Sequence, residues 1–405
     1  MTSSRDPVLI SGAGAVGLAV ALGLARRDIP VVVFEAEPQL VEEYRASTFH
    51  PPTIEMLDAL GVGAALRSRG LVAPKFQFRD RDEGLIAEFD LGVLRNDTPY
   101  PYRLQIEQFA LVQLLYDELE KVPNAQVLFR HQVVGVQQTA DGVDMEIETP
   151  DGQASFHGSY AVGADGGRSA VRHALGIEFD GMTYPERYLV TFTTFDFWDV
   201  MPDLAHVNYV SDPNEWFVLL RSPGLWRVLF PTKPDETVFD TDPDAETMDR
   251  LAQERYQHVH PTGEPYPLVY RNIYRVHQRI AAKYRVARGL LAGDAAHVNN
   301  PLGGMGLNGG IHDASMLTDA IVRSMKTGAG STALDHYATE RRRIALQYIQ
   351  AQTAQNERNI RQQDPAVRRE SQDEQRRMAD DLVAARSYLL RTSMIEGLRS
   401  IPPFE

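Results

Sequence analysis

Residues 8–35 read VLISGAGAVGLAVALGLARRDIPVVVFE, and this stretch decides how the rest of the chain is organised. An apolar run, Val8 to Ile10, enters a glycine-rich turn. A long segment of small and apolar residues follows, and the β-branched run Val31–Val33 then leads to Glu35. This order of patterns predicts a strand, a tight turn, a helix and a second strand, which together form one βαβ unit.

The glycines of the turn have the spacing G-x-G-x-x-G. The first can adopt a positive φ, the second has no Cβ to block a pyrophosphate, and the third lets the helix pack closely on the strand. Free N–H groups and the positive dipole end at the helix start favour bound phosphate. The pattern therefore predicts a dinucleotide site formed by Gly12, Gly14, Ala15, Val16 and Gly17.

Glu35 stands at the end of the second predicted strand, where a carboxylate can accept hydrogen bonds from ribose hydroxyls. Its charge would repel a 2′-phosphate, so we expect an adenosine dinucleotide without that phosphate. Ala36 follows and is assigned to the same site. The motif alone does not distinguish FAD from NAD, and its alternative is a tight glycine turn in an ordinary βα unit.

The composition, 43% hydrophobic and 24% charged among 405 residues, is typical of a soluble globular protein, and the length predicts two joined domains. A formal net charge of −14 argues against a nucleic-acid partner and against an anionic membrane surface. The sequence has no cysteine, which excludes disulfides and thiolate chemistry, and its histidines lack metal-ligand spacing. We expect a cytoplasmic protein with no signal peptide, membrane span or metal, and leave a homodimer open.

Later patterns indicate that the nucleotide-binding domain is interrupted. Aromatic, β-rich runs dominate residues 180–280 and predict an inserted antiparallel sheet with one face free to cover a pocket. From Ile311 the chain has a helical pattern, with a break near Pro365. The run Arg341–Arg343 is expected to lie on a solvated helix face, with an anion site as the alternative.

Two further glycine-bearing segments follow the first. Residues 163–172 read GADGGRSAVR, and residues 293–297 read GDAAH, followed by Pro301 and by GGMGLNGG at 303–310. With the opening motif they resemble the three motifs of group A flavin-dependent monooxygenases, the para-hydroxybenzoate hydroxylase family. Their order, their spacing and the β-rich segment between them match that family over nearly the whole chain.

The resemblance implies that FAD is the resident dinucleotide and that NADH or NADPH is a transient co-substrate. Asp294 follows an apolar run, which places it at a strand's carboxyl end, where it would bind a ribityl hydroxyl. The glycines of residues 303–310 are expected to precede a helix that begins at Ile311, and N–H groups there would bind the flavin pyrimidine. Pro301 would lie near the ring atom at which oxygen reacts. The flavin-binding residues that the resemblance implies in these segments are Gly293, Asp294, Pro301, Gly304, Gly306, Leu307 and Asn308.

Three single residues also match family positions, each with an alternative. Asp165 is similar to an aspartate that serves the FAD pyrophosphate region and NAD(P)H; otherwise it forms a plain Asx turn. Arg45 is similar to an FAD-contacting arginine, with a surface charge as the alternative. Gln108 is similar to a glutamine near the ribityl chain, or is a polar residue at a helix start. His297 is expected to be structural or flavin-adjacent, and not a catalytic base.

The expected fold is a mixed α/β architecture, with an FAD-binding Rossmann-like domain, an inserted antiparallel sheet and C-terminal helices. The helical C-terminal residues indicate the compact form of the family, without a thioredoxin-like domain. The predicted limits are 1–75, 100–180 and 281–330 for the FAD-binding domain, 76–99 and 181–280 for the substrate domain, and 331–405 for the helical region.

The mechanism that the resemblance implies is hydroxylation of a small phenolic or related aromatic compound, in aromatic compound catabolism. NAD(P)H reduces the flavin, O₂ adds to give a C4a-hydroperoxide, and an electron-rich ring attacks its distal oxygen. The ring is expected between the inserted sheet and the flavin, with Phe217 and Trp226 as wall and Arg221 or Arg227 available for a carboxylate. The catalytic candidates are Tyr209, Arg221 and Pro301, with Tyr188 and His206 as further residues that could orient a phenol.

Two other functions stay open at this point. One is a flavin monooxygenase that acts on an N-heteroaromatic or another non-phenolic substrate, because the sequence does not place the pocket-lining residues. The other is an FAD protein that does not activate oxygen. A reductase with its own NAD(P)H domain is disfavoured, because the chain has no second G-x-G-x-x-G and no cysteine pair.

Overall fold

In a computed structural model the chain forms two large β-sheets with helices packed on and between them, which confirms the expected mixed α/β fold. The structure describes residues 6–232, 236, 238, 243–326, 331–362 and 364–404. Within those ranges, no helix combines the length and the apolar character needed to cross a membrane.

A six-stranded sheet contains the opening βαβ unit. From edge to edge its strands are β18 (Arg285–Val286), β19 (Gly289–Leu291), β12 (Tyr160–Gly163), β1 (Val8–Ser11), β2 (Val31–Glu35) and β8 (Ala125–Phe129). All neighbours are parallel except β18 and β19. Because Ser11, Gly163 and Leu291 align in register at the carboxyl ends of adjacent strands, the three glycine-bearing turns leave the sheet at one edge.

Helix α1 (Ala15–Ala25) is almost wholly buried between α4 (Gln108–Leu119) and α7 (Met305–Lys326). Its small residues permit this close packing, since a Cβ on Gly23 would lie 3.0 Å from the Thr318 side chain. A three-stranded meander follows β8, and its strands are β9 (Gln132–Gln138), β10 (Val143–Thr149) and β11 (Gly152–Gly158).

The second large sheet has eight strands. In spatial order they are β20 (His297–Val298), β17 (Leu268–Ala281), β13 (Phe179–Thr193), β16 (Leu225–Pro231), β15 (Phe217–Ser222), β14 (Val207–Ser211), β5 (Lys75–Asp80) and β6 (Gly84–Asp90). Neighbours are antiparallel except β14 and β5. The predicted antiparallel sheet is therefore present, and β5 and β6 join it from an earlier part of the chain.

Strand alternation gives this sheet two different faces. The inner face packs against C-terminal helices and comprises Phe76, Tyr188, Val190, Phe192, Val207, Tyr209, Val218 and Leu229. The outer face is covered by α6 (Ala245–Val259) and comprises Leu189, Val210, Phe217, Leu219, Trp226, Val228 and Phe230.

The other elements are short or C-terminal. A small sheet contains β3 (Thr48–Phe49), β7 (Arg103–Gln105) and β4 (Leu71–Ala73). The further helices are α2 (Pro51–Ala59), α3 (Gly63–Arg69), α5 (Ala170–Ala174), α8 (Thr332–Ile344), α9 (Ala351–Ile360), α10 (Pro365–Asp380), α11 (Leu382–Thr392) and α12 (Ile395–Arg399). A π-helical segment, Ala345–Gln350, joins α8 to α9, and the predicted break near Pro365 is present. The domain limits given above stay a prediction.

Helix α7 begins at Met305, and not at Ile311 as predicted. Glycine disfavours a helix interior, which is why the pattern suggested a loop. Here the close packing of α7 requires that these positions carry no side chain. A Cβ on Gly310 would lie 2.6 Å from Val16 Cγ2, and one on Gly309 would lie 2.8 Å from Ile349 Cδ1.

The prediction of a solvated face for the arginine run is wrong at Arg341, which is fully buried. Its Nε donates to Asp313 Oδ1 at 2.6 Å, and its Nη2 donates to the Gly309 carbonyl at 3.2 Å. Asp313 also accepts hydrogen bonds from the Gly293 amide at 3.0 Å and from His297 Nε2 at 2.8 Å. Burial raises the pKa of Asp313, but Arg341 and His297 outweigh it and leave that pKa at about 2. The buried carboxylate therefore stays ionised and joins three separate segments.

Replacing Arg341 with methionine is expected to lower the free energy of unfolding by roughly 3–5 kcal/mol, because it leaves the charge of Asp313 buried without its main partner. The matched control is Arg343→Met two residues away, where a surface pair with Glu340 is lost and roughly 0–1 kcal/mol is expected. Urea unfolding of the two variants measures the difference, and equal losses would contradict the assignment.

Candidate functional site

The first glycine turn is held by Glu35. Its Oε2 accepts a hydrogen bond from the Ala13 amide at 2.8 Å, and its Oε1 accepts one from the Glu37 amide at 3.0 Å. Gly12 has a φ of +100°, and a Cβ there would lie 2.6 Å from the Ala164 carbonyl oxygen. Glu35 ends β2, as predicted, and in addition its carboxylate holds the glycine turn, while the first two motifs are in direct contact.

The other two glycines of this motif have opposite surroundings. A Cβ on Gly17 would lie 2.0 Å from the Gly12 carbonyl oxygen, so this glycine is needed for packing. A Cβ on Gly14 would meet no atom within 4 Å, although Gly14 has an extended backbone that any residue could adopt. Open space in front of the α1 N-terminus is what a bound pyrophosphate requires, and the residues present therefore fit a dinucleotide.

Asp165 links the second motif to the first. Its Oδ2 accepts hydrogen bonds from Ser11 Oγ at 3.2 Å and from the Ala170 and Val171 amides at 2.9 and 3.3 Å. This carboxylate caps α5 across a longer loop and does not form the local Asx turn considered as its alternative. Its Oδ1 is buried and has no partner among the described residues, which leaves an acceptor free for a ligand donor.

Asp294 lies in the turn directly after β19, as predicted from the apolar run. The residue is exposed to solvent, but the protein around its carboxyl partly desolvates the carboxyl and raises its pKa, and the charge of His297 opposes this rise. Arg45 is close enough to oppose that rise. The Arg45 side chain is 63% exposed and pairs with Glu43, so the guanidinium can turn toward a ligand at little cost.

The segment before α7 is shaped by Asn308. Its Oδ1 accepts a hydrogen bond from the His50 amide at 2.8 Å, and its Nδ2 donates to the carbonyls of Thr48 and Gly304 at 2.8 and 2.6 Å. The Asn308 side chain therefore holds the loop in place, and only the backbone of Asn308 is left to hydrogen-bond a flavin. Gly303 and Gly304 both have positive φ, which turns the loop into the helix.

The remaining predicted flavin residues lie around this cleft. A Cβ on Gly293 would lie 2.9 Å from Val16 Cγ2, so the first and third motifs pack closely. Gln108 is half-buried at the start of α4, and its amide donates to the Ala46 carbonyl at 2.9 Å, beside Arg45. Pro301, Gly304, Gly306 and Leu307 are all half-buried, and Ala15 and Ala36 begin α1 and follow β2 respectively.

An aromatic cavity lies between the inner face and the start of α7. It is narrow, with a volume of about 10 Å³. Tyr209 stacks on Phe78 with a ring-centre distance of 5.4 Å. The lining residues are Phe76, Phe78, Arg103, Tyr209, Gly303, Met305, Asn356, Ile360, Tyr388 and Thr392. Of the predicted catalytic residues, the structure places Tyr209 here.

A larger groove of about 440 Å³ lies on the other side of the α9 C-terminus. Tyr188 lines it and packs edge-on against Trp216 at 5.4 Å, and burial raises the pKa of Tyr188. Glu186, Glu357 and Arg361 form its charged rim. Its described lining includes no residue of 301–308, whereas the smaller cavity is lined by Gly303 and Met305.

The structure does not bring Arg221 to the cavity. It lies on the outer face, where its Nη2 donates to Asp196 at 3.2 Å and its guanidinium lies over the rings of Trp198 and Trp226. His206 packs against Trp198 at 5.3 Å on the same side, and burial and Arg221 lower its pKa. Phe217 also faces outward. Alternation along the strands separates all of these residues from Tyr209, and the expectation that they form the pocket is wrong.

Arg227 is on the inner face but has partners. Its Nη1 donates to the Arg45 carbonyl. Burial raises the pKa of Glu107 and of the half-buried Tyr274, and the charge of Arg227 opposes both rises without cancelling them. Glu107 accepts a hydrogen bond from Ser222 Oγ at 2.8 Å. This cluster secures the Arg45 segment against the sheet.

Sequence reasoning missed most of the lining residues, among them Phe76, Phe78, Arg103 and Tyr388. Phe76 and Phe78 alternate in KFQF, so strand periodicity could have identified one shared face. Tyr388 comes from α11, and no local pattern predicts its approach to that sheet.

Within the described residues, no group of three or more His, Asp or Glu side chains is arranged to hold a metal.

Comparisons with known proteins identify the family to which the chain is similar. A family model described as an FAD binding domain matches residues 5–352. The para-nitrophenol 4-monooxygenase of Pseudomonas sp. strain WBC-3 is 37% identical over 402 residues, 98% of this chain and 97% of that protein. The 6-hydroxy-3-succinoylpyridine 3-monooxygenase HspB of Pseudomonas putida strain S16 is 33% identical over 90% of this chain and 91% of that protein. The crystal structure of p-nitrophenol 4-monooxygenase PnpA from Pseudomonas putida DLL-E4 superposes with a TM-score of 0.91 at 35% identity, covering 98% and 99% of the two chains.

Two glycine-to-alanine variants separate ligand space from packing. Gly14→Ala is expected to fold normally and to bind FAD on the order of tenfold more weakly, because its Cβ enters the pyrophosphate space. Gly17→Ala is expected to lose roughly 1–3 kcal/mol of stability even without FAD, because its Cβ meets backbone. Fluorescence titration with FAD and thermal unfolding of the apoprotein test both, and the reverse pattern would refute the assignment.

His50 is expected to make stability depend on pH. Burial and the Arg103 charge lower its pKa to about 3, although the Gly303 carbonyl, 2.8 Å from Nε2, opposes this. The unfolded chain therefore binds more protons than the folded one, and stability falls as the pH drops below about 6.5, by up to ~1.4 kcal/mol per pH unit for this residue. His50→Asn should reduce that slope by about one proton, and exposed His173→Asn should not. Urea unfolding between about pH 4 and about pH 6.5 measures it; an unchanged slope in His50→Asn would contradict the prediction.

Proposed function

The chain belongs to the FAD-binding-domain family and is an FAD-dependent aromatic monooxygenase, and from this we propose that it hydroxylates a small para-substituted phenol with O₂ and NADH or NADPH. The observation that carries the proposal is the aromatic cavity, which adjoins the loop at Gly303 and the start of α7. Para-nitrophenol is the first compound to test, because the relative at 37% identity is named for it.

The residues that would hold FAD follow the cleft from one motif to the next. Gly14 and the α1 N-terminus would take the pyrophosphate, and Glu35 the adenosine ribose. Asp294 would accept from a ribityl hydroxyl, with Arg45 and Gln108 beside it. When bound, FAD supplies the redox chemistry, accepting electrons from the nicotinamide and delivering them to O₂.

The chain's own contribution is to position the ring and to exclude water. N–H groups at the α7 N-terminus, at Gly306, Leu307 and Asn308, favour negative charge on a group bound there. Phe76 and Phe78 offer flat apolar walls to an aromatic ring. Tyr209 presents a hydroxyl in the same cavity and would hydrogen-bond the phenolic oxygen, so that the ring carbon to be hydroxylated faces the Pro301 side.

A second candidate is a hydroxypyridine substrate. The relative at 33% identity is named as a monooxygenase of 6-hydroxy-3-succinoylpyridine, and a pyridine ring has the same flat shape. A screen of para-substituted phenols and hydroxypyridines for stimulated NADH or NADPH oxidation, scored by hydroxylated product, decides between the two. A protein that binds FAD but oxidises NAD(P)H at the same rate with and without every compound would refute both.

Tyr209→Phe is expected to lower product formed per NAD(P)H consumed by roughly 2- to 10-fold, because one hydrogen bond that orients the ring is lost. The oxidation of NAD(P)H itself should still respond to substrate. Tyr266→Phe, which removes a buried tyrosine hydroxyl from the outer side of the sheet, is the matched control and should keep the wild-type ratio. Oxygen uptake together with chromatographic product analysis gives the ratio, and an unchanged ratio in Tyr209→Phe would remove this residue from the mechanism.

A further inference from the structure

Arg103 is a buried cation without an acidic partner. It lies on β7, is 3% exposed, and its guanidinium lies 4.2 Å from the centre of the Phe76 ring. Its Nε and Nη1 are buried and make no hydrogen bond to any described residue, and no described carboxylate lies within 4 Å of it. An unpaired charge is costly to bury, so a guanidinium held in this way requires a function or a ligand.

Other deeply buried arginines in the described chain are neutralised or hydrogen-bonded. Arg341 pairs with Asp313 at 2.6 Å, and Arg255 pairs with Glu215 and Glu236 at 2.8 Å. Arg172 donates to two backbone carbonyls at 2.7 and 3.0 Å. Arg103 is the exception among these, and it is also the one that lines the aromatic cavity.

The groups around Arg103 do not supply the missing negative charge. The cavity lining contains no Asp or Glu. Its titratable neighbours are Tyr209, Tyr388 and His50. Burial raises the pKa of Tyr388, which keeps its hydroxyl protonated, and burial with the Arg103 charge lowers the pKa of His50 to about 3, which keeps it neutral. The cavity therefore has a net positive charge between aromatic walls.

We propose that Arg103 selects the substrate by binding the anionic oxygen of an ionised phenol, so that the ring enters and reacts as the phenolate. This deepens the proposed function, on which it rests, by naming the residue that holds the phenolic oxygen and selects for its charge. A phenolate is more electron-rich than a phenol and is thus the better partner for an electrophilic oxygen. A guanidinium also fits the two oxygens of a nitro or carboxyl group, and the probes below separate that arrangement from phenolate binding.

The wild-type test is equilibrium binding to the oxidised, FAD-loaded protein, followed by the flavin absorbance without NAD(P)H. For 4-nitrophenol the dissociation constant should rise about tenfold for each pH unit below the phenol's own pKa, because only the anion binds well. The methyl ether 4-nitroanisole keeps the nitro group and lacks the ionisable oxygen, and it should bind at least about tenfold more weakly than 4-nitrophenolate. Equal binding of the two would overturn the proposal in favour of nitro recognition, and a dissociation constant that rises with pH would show that the neutral phenol binds.

Arg103→Met should weaken 4-nitrophenolate binding about 10- to 100-fold and abolish the preference for the anion, while 4-nitroanisole binding changes little. Because no partner is left unpaired, the variant should unfold at the same or a higher temperature. Arg79→Met is the matched control: Arg79 follows the lining residue Phe78 on β5, pairs with Asp203 at 2.7 Å, and should leave the preference intact. Wild-type anion preference in Arg103→Met would refute the assignment.

Arg103→Lys keeps the positive charge. It replaces Arg103→Met in the binding tests if the methionine variant does not bind FAD. It should retain the preference for the anion with weaker binding, and loss of that preference would count against the proposal. The binding tests need no turnover, so they can fail while substrate-stimulated NAD(P)H oxidation succeeds. The reverse outcome, with anion-selective binding but no hydroxylation of any phenol, would instead reject the proposed function.

Discussion

The buried carboxylate of Asp313 is the contact on which the geometry of the cleft depends. It accepts hydrogen bonds from the Gly293 amide, from His297 and from Arg341, which belong to the turn after β19, the edge of the eight-stranded sheet and α8. Removal of any one partner would leave charge or polar groups unpaired in the core. The network thereby holds Asp294 and the α7 N-terminus in a fixed relation.

Close backbone packing supplies the second constraint. Gly12, Gly17 and Gly310 each occupy a place where a Cβ would meet another motif or its own turn within 2.6 Å. Because these contacts join the first motif to Ala164 and to α7, the three motifs form one rigid rim. Gly14 differs from these three glycines. A Cβ there would meet no protein atom, and the absence of a side chain leaves free space in front of the helix. A rim of this kind suits a large cofactor, since little reorganisation is needed on binding.

The two faces of the eight-stranded sheet have different roles, because one packs in the protein core and the other faces the cleft. The outer face, with Arg221 and Trp226, packs under α6 and is closed by paired charges and stacked rings. The inner face presents aromatic rings to the cleft, and Arg103 of β7, which has no acidic partner among the described residues, packs over one of these rings, Phe76. That asymmetry gives the cavity its character: flat apolar walls favour an aromatic ring, and an uncompensated cation favours negative charge on it.

Much of this could be read from the sequence, because it depends on local order. Patterns within a few tens of residues indicate the glycine spacing, the acid at the end of β2, the aspartates after β12 and β19 and the β-rich insertion. The sequence therefore determined the mixed α/β fold and the FAD-binding family. It could not decide which face of a strand points inward, and so it assigned Arg221 to the pocket; nor could it reveal that Arg341 is buried. Arg103 and Tyr388 meet only after distant segments pack together, because contact across 285 positions of chain depends on tertiary structure and leaves no local periodicity.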